Sequence, residues 1–159
     1  MPIFSIDLYF QFFSLGASIY FFIKKRDKIQ LYFIPFLFLT VSVELIGWWY
    51  LSKGVRNYAM YNIFTTLEFS FYASLFRSNF KKQPLKVLST TFIPVFIILV
   101  IINMLWVQGF NKTFNTYTFL LGSFFIVIFC CCFFYESVLP DKIDQQLSKQ
   151  PFFWISSGL

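Results

Sequence analysis

Short clusters of lysine and arginine cut this chain into apolar runs of about 20 residues, the length of α-helix that crosses the hydrocarbon core of a bilayer. The runs lie near residues 3–23, 29–51, 57–76, 87–107 and 114–135, and another opens at Pro151. That pattern leaves few folds open. A helix apolar on every side must be buried in protein or sit in lipid, and the polar residues here are too few to cover five such helices in water. Of 159 residues, 58% are hydrophobic and only 13% charged, against roughly a quarter charged in soluble domains, and the mean hydropathy is +0.68. The expected fold is all-α: a polytopic transmembrane helical bundle, one domain over residues 1–159, with five full spans and the start of a sixth.

Charge sets the expected direction. Basic residues concentrate in the short loops that stay on the cytoplasmic side. Lys24, Lys25, Arg26 and Lys28 follow the first run, Arg77, Lys81, Lys82 and Lys86 follow the third, and Lys142 and Lys149 follow the fifth. The alternate loops hold only Lys53, Arg56 and Lys112. The N-terminus is therefore expected outside. Trp48, Trp49, Tyr50 and Trp106 close runs two and four at that outer level, where amphipathic rings favour the headgroup region. Only Asp7 and the amino terminus precede the first run, and the cations come after it, so a retained helix is expected rather than a cleaved signal peptide. Pro35 and Pro94 should bend their helices or mark where they start. The polar stretch 140–150 reads as a loop. The nine residues from Pro151 to Leu159 would cover less than half a bilayer, and truncation of a longer parent is the expected reason.

Composition excludes several kinds of chemistry. There is no histidine, which removes the commonest metal ligand and the usual general base near neutral pH. The three cysteines, Cys130, Cys131 and Cys132, are consecutive and offer no C-x-x-C spacing. They read as apolar filler, with acylation of a juxtamembrane thiol as the alternative. No Gly-rich phosphate loop, G-x-S-x-G elbow or H-E-x-x-H pair occurs. Asn111-Lys112-Thr113 is a sequon by chance, in a loop too close to the membrane. The net charge of +6 lies at helix ends rather than along one face, which fits anionic headgroups and argues against nucleic acid. Twenty-six phenylalanines reflect compositional bias and apolar packing, and no cofactor or metal is implied.

The informative exceptions are polar residues inside the runs. Acids in membrane spans are costly and usually face a bundle interior or a wet cavity. Glu44 in run two and Glu68 in run three fall in or near the outer half at similar depth. Tyr61, Thr65 and Tyr72 share the helical face of Glu68. Thr40 and Gly47 flank Glu44 at helical spacing. Asn62, Asn103, Asn115 and Thr118 add polar groups from the outer ends of runs three, four and five, with Gly122 on the stripe of the last two. The bland reading is interhelical hydrogen bonding. The sharper one is a site in which the acid pair takes a proton, a cation or an amine, with Asn62, Thr65, Tyr72, Asn103, Asn115 and Thr118 around it.

Four segments carry a resemblance: Glu44-Leu-Ile-Gly-Trp-Trp49, Tyr61-Asn-Ile-Phe-Thr-Thr-Leu-Glu-Phe-Ser-Phe-Tyr72, Phe114-Asn-Thr-Tyr-Thr-Phe-Leu-Leu-Gly122 and Pro151-Phe-Phe-Trp-Ile-Ser-Ser-Gly158. Together they resemble a family of uncharacterised bacterial multi-pass membrane proteins. The resemblance implies a bacterial inner membrane and a parent of six or seven helices that continues past Leu159. It lends no activity.

The residues place the chain but assign it no reaction. Three functions are compatible with them. The first is a membrane-embedded module that binds or senses a small ligand, a lipid headgroup or a proton, signalling through a membrane-protein partner or a second copy. The second is a small proton- or cation-coupled transporter, which needs a route past aliphatic and aromatic inner halves. The third is a membrane enzyme acting on lipid, with the carboxyls as acid and base; an enzyme is the less favoured expectation.

Overall fold

A computed structural model describes residues 6–25, 28–138 and 151–158. The described residues form helices joined by short turns, with no strand among them. They are α1 (Ile6–Lys25), α2 (Lys28–Ser52), α3 (Tyr58–Asn79), α4 (Gln83–Ile102), a π-helical turn (Asn103–Val107), α5 (Thr116–Val138) and α6 (Pro151–Gly158). The expected loop at 140–150 and the cations at residues 26 and 142 onward lie outside the described residues. Helix limits follow the charged punctuation closely. Both internal prolines, Pro35 and Pro94, sit within their helices, and neither starts or ends one.

Three helical stretches are long and apolar enough to cross a membrane: Leu31–Ser52, Gln83–Val107 and Thr116–Ser137. The apolar part of α1, Leu8–Lys24, is shorter. Helix α3 has the length without the hydropathy, because hydroxyls and amides run down it every fourth residue. Along that row each side chain turns back on its own helix. Thr66 Oγ1 donates to the carbonyl of Asn62, Ser70 to Thr66, Ser74 to Ser70 and Ser78 to Ser74, all at 2.8–3.0 Å. Thr65 donates likewise to Tyr61 at 2.7 Å, and Asn79 to Leu75 at 2.8 Å. A hydroxyl satisfied in this way needs neither water nor a neighbouring helix.

The chain divides into two compact units, residues 1–60 and 61–159. In the first, α1 packs against α2. Helix α2 ends in a Schellman motif. The N–H of Gly54 bonds to the carbonyl of Leu51 and that of Val55 to Tyr50, at 2.9 and 3.1 Å. Gly54 takes φ of +69°, a conformation that side-chain-bearing residues avoid. Lys53 reaches back to lie 4.0 Å above the ring of Trp49.

In the second unit, α3 and α5 run parallel with α4 antiparallel between them. The aromatic contacts show the register. Phe69 meets Phe119 and Phe96, Phe76 meets Phe129, and Phe92 meets Phe125 and Phe129, at centroid separations of 4.8–5.8 Å. Phe152 of α6 closes the series, edge-on to Phe76 at 5.1 Å and to Phe133 at 4.8 Å. These rings form one end of the unit, with Phe76, Phe80, Phe129, Phe133 and Phe152 all buried. Edge-to-face pairs of this kind add roughly 0.5–1.5 kcal/mol each beyond the area they bury. At the same end the carboxylate of Glu136 accepts the backbone N–H groups of Lys81 at 3.0 Å and Lys82 at 2.7 Å. It thereby holds the turn that starts α4, where a negative charge also complements the helix dipole.

At Gly122 α5 has no side chain, and the ring of Phe69 on α3 fills the space. A methyl group added at Gly122 would lie 2.5 Å from the ring of Phe69. That ring is itself held by Phe96 and Phe119 and has nowhere to swing. Gly122→Ala should therefore destabilise the protein by about 1–3 kcal/mol through overpacking, read as a lower thermal midpoint in detergent. Gly16→Ala, where nothing lies within 4 Å, should be neutral or slightly stabilising. Equal midpoints for the two variants would refute the close approach.

Candidate functional site: a buried amide cluster

At the end of the second unit opposite the phenylalanines, four amide side chains meet. Asn62 lies one turn into α3, Asn103 begins the π-helical turn that ends α4, Gln108 follows that turn, and Asn115 immediately precedes α5. Asn62 is 1% exposed, Asn115 3% and Asn103 6%. Amides this deeply enclosed must find partners, since each unmade bond costs on the order of 1–3 kcal/mol.

Asn62 uses all it has. Its Nδ2 donates to the carbonyls of Phe110 at 3.3 Å and Thr113 at 3.1 Å, and its Oδ1 accepts the N–H of Asn115 at 2.9 Å. One side chain on α3 thus grips both flanks of the turn that joins α4 to α5. Asn103 works from the other side. Its Nδ2 donates to Oε1 of Gln108 at 2.8 Å and to Oδ1 of Asn115 at 3.1 Å. Its carbonyl accepts the N–H of Gln108 at 2.9 Å, five residues on, the bond that widens the helix into a π-turn. Thr113 Oγ1 donates to the carbonyl of Gln108 at 3.0 Å, and Gly109, with φ of +76°, lets the chain reverse. Thr118 is buried and donates to the carbonyl of Asn115 at 3.1 Å.

One donor is left over. Nδ2 of Asn115 is enclosed and has no hydrogen-bond partner among the described residues. Its Oδ1 is already taken by Asn103, so the side chain is held in place with its NH2 group unmet.

The structure thus brings together Asn62, Asn103, Asn115 and Thr118 of the expected site residues. Glu68 lies deeper on α3, half-buried, on the face shared with Thr65 and Tyr72. Tyr72, one turn on, is within electrostatic range of it. The hydroxyl of Thr65 is spent on its own helix. Glu44 is half-buried on α2 in the first unit. Gln108, Thr113 and the backbone of the α4–α5 turn escape sequence reasoning because a turn carbonyl carries no sequence signal. Gln108 itself is legible only as one more amide near the end of an apolar run. Among the described residues no three of His, Cys, Asp and Glu gather as metal ligands. The three cysteines are free, Cys130 buried and Cys131 exposed.

Chemically, the cluster offers a fixed amide donor in an enclosed, largely satisfied setting. It suits an uncharged acceptor or an anionic oxygen. It contains no nucleophile with a base beside it.

Asn62→Leu keeps the volume and removes three hydrogen bonds, leaving two carbonyls and one N–H unpaired. The expected cost is about 3 kcal/mol or more. Hydrogen exchange and proteolysis should quicken at residues 108–116 first, while Lys112→Gln in the same turn leaves both rates unchanged. Uniform protection in the Asn62 variant would refute its role as the clamp. Comparison with family models, with curated proteins and with solved structures gives no match for this chain.

Proposed function

We propose that this protein is an integral membrane bundle of five spans with the start of a sixth, N-terminus outside. In it the amide cluster and Glu68 of the same unit form a site for a small ligand or a proton in the outer half. The bilayer is that of a bacterial inner membrane, and the site serves binding or sensing. The observation that carries this reading is the Asn115 amide, 97% enclosed, its oxygen engaged and its NH2 group without a partner. A binding group held rigidly before its ligand arrives loses little entropy on binding.

Two features support the wider topology. The alternation of α3, α4 and α5 agrees with the charge pattern, which puts Arg77, Lys81, Lys82 and Lys86 at one end and the amide cluster at the other. The back-bonded hydroxyls of α3 supply what a polar helix needs in hydrocarbon, since Thr66, Ser70, Ser74 and Ser78 are each satisfied within the helix itself. In this reading Glu68, with Tyr72 one turn on, takes part in the site, and a partner protein or a second copy carries the signal onward.

Transport is the weaker reading. A substrate leaving the amide end would meet the phenylalanine cluster at the basic end, where Phe76, Phe129 and Phe152 are almost wholly enclosed. A lipid-directed enzyme would need the acids at the reacting bond, and the amide cluster supplies no base.

Reporter fusions should place residues 53–56 and 108–113 outside the membrane and 77–82 inside. The opposite assignment would end the topology. For the site, difference infrared spectra across a pH titration should show a carboxyl band that Glu68→Gln removes. The same variant, and Asn115→Leu, should abolish any ligand-induced thermal shift found by screening small carboxylates and amines. If Glu68→Gln and Glu44→Gln both keep stability and every such response, the acids are structural only. A proton or cation flux in proteoliposomes that vanishes with Glu68→Gln would favour transport instead.

A further inference from the structure

Away from the amide cluster, α4 and α5 leave a furrow along their shared surface, about 240 Å3 in volume and wholly apolar in its wall. Leu88, Val95 and Leu99 of α4 form one side and Leu121 and Phe125 of α5 the other. Its floor is rigid. Phe92 and Phe96 are buried and stacked 5.2 Å apart, and Phe92 lies 4.8 Å from Phe125.

Three observations together say what covers it. The first is length. From Leu88 to Leu99 the helix rises about 17 Å, close to half of a hydrocarbon core of about 30 Å. The furrow is therefore one leaflet long. The second is the wall. Side chains of both helices line the furrow and, although Thr91 is among them, the wall presents no polar surface, so its occupant is held by apolar contact alone, as an acyl chain is.

The third is charge. The furrow opens at Leu88, two residues past Lys86 and within about two turns of Lys81 and Lys82. Lys81 and Lys82 are exposed, and neither they nor Lys86 form an ion pair among the described residues. The one nearby acid, Glu136, has both carboxylate oxygens occupied by the backbone N–H groups of Lys81 and Lys82. It fixes the turn that presents the lysines and leaves the mouth net positive. At the other end, near Leu99, the flanking residues Ile98, Ile101 and Ile102 are exposed and aliphatic, and no charge is found there.

We propose that the α4–α5 furrow is a binding site for an anionic glycerophospholipid, one acyl chain lying from Leu88 to Leu99 and the phosphate held by Lys81, Lys82 and Lys86. The lipid belongs to the leaflet on the basic side. The assignment is independent of the amide site, since it uses neither Asn115 nor the intramembrane acids.

The full-length protein, purified in a mild detergent, is titrated with phosphatidylglycerol and with phosphatidylcholine of the same chains and observed by native mass spectrometry. Phosphatidylglycerol should be retained about tenfold better or more, as expected for several lysines near one phosphate. The triple variant Lys81→Gln, Lys82→Gln, Lys86→Gln should erase that preference, and Val95→Trp, which fills the furrow from an exposed position, should lower retention of both lipids. Phosphatidylglycerol carrying a photoreactive group at mid-chain should label unmodified protein within residues 88–99 and 121–125, a result that needs no variant to fold. Equal retention of the two lipids overturns the proposal, as does labelling confined to other helices. So does a disulfide joining two copies through Val95→Cys in native membranes, which would show that a second copy fills the furrow.

Discussion

A polar group enclosed by apolar neighbours must be met by another polar group, and this requirement shapes the molecule more than any aromatic contact does. Asn62 is its centre. By bonding two carbonyls and one N–H of the α4–α5 turn, it converts a loop into a cap on the bundle. Without it three backbone groups of the turn would lose their partner, and the N–H of buried Asn115 would stand unmet. The phenylalanines are interchangeable in a way this amide is not. Dispersion tolerates many arrangements of similar volume, whereas hydrogen bonds of 2.9–3.3 Å fix one.

The two ends of the second unit solve the same problem with different groups. At the amide end, neutral side chains satisfy neutral backbone. At the basic end, a carboxylate meets two N–H groups that have no helical partner, because they precede the first turn of α4. Between the ends, the hydroxyls of α3 turn back onto their own helix and ask nothing of their neighbours. Polarity is thereby made compatible with an apolar surround along α3 and at both ends of the unit, while the buried hydroxyl of Ser89 on α4 has no partner among the described residues. The only buried side-chain donor of the amide cluster outside this scheme is Nδ2 of Asn115, and that exception gives the functional reading its footing.

Helix limits were legible because charge and turn residues bracket the apolar runs. Lys24 and Lys28 bracket the first break, Lys53 and Arg56 the second, and Arg77 and Lys86 the third, although α4 starts at Gln83, four residues before the expected run. The convergence of Asn62, Asn103, Asn115 and Thr118 was legible too, from their places near the outer ends of their runs. What the residues did not disclose is the manner of convergence. A π-turn is set by one carbonyl choosing the N–H five residues on rather than four, and no residue type announces that choice. Glu136 was passed over for a related reason. Near the end of an apolar run an acid reads as a solvated exit charge, and only the folded turn shows that its partners are backbone N–H groups 54 and 55 residues away. Helix α3 shows the converse difficulty. Its hydroxyls lower its hydropathy below that of its neighbours, although bonding to the preceding turn removes most of the cost that hydropathy counts.

The distribution of rigid and open regions bears on which function the molecule suits. Conduction would require a polar path to open through the basic end, where Phe76 touches Phe80, Phe129 and Phe152 and each of those touches a further ring or helix. Separating such a cluster exposes several aromatic faces at once, each worth on the order of 2 kcal/mol of burial. The amide end differs. Its turn is held by individual hydrogen bonds of about 1 kcal/mol net, and a ligand oxygen meeting Asn115 would strengthen that network rather than break it. A structure closed by packed rings at one end and holding an unmet donor at the other is better arranged to hold an occupant than to pass it through.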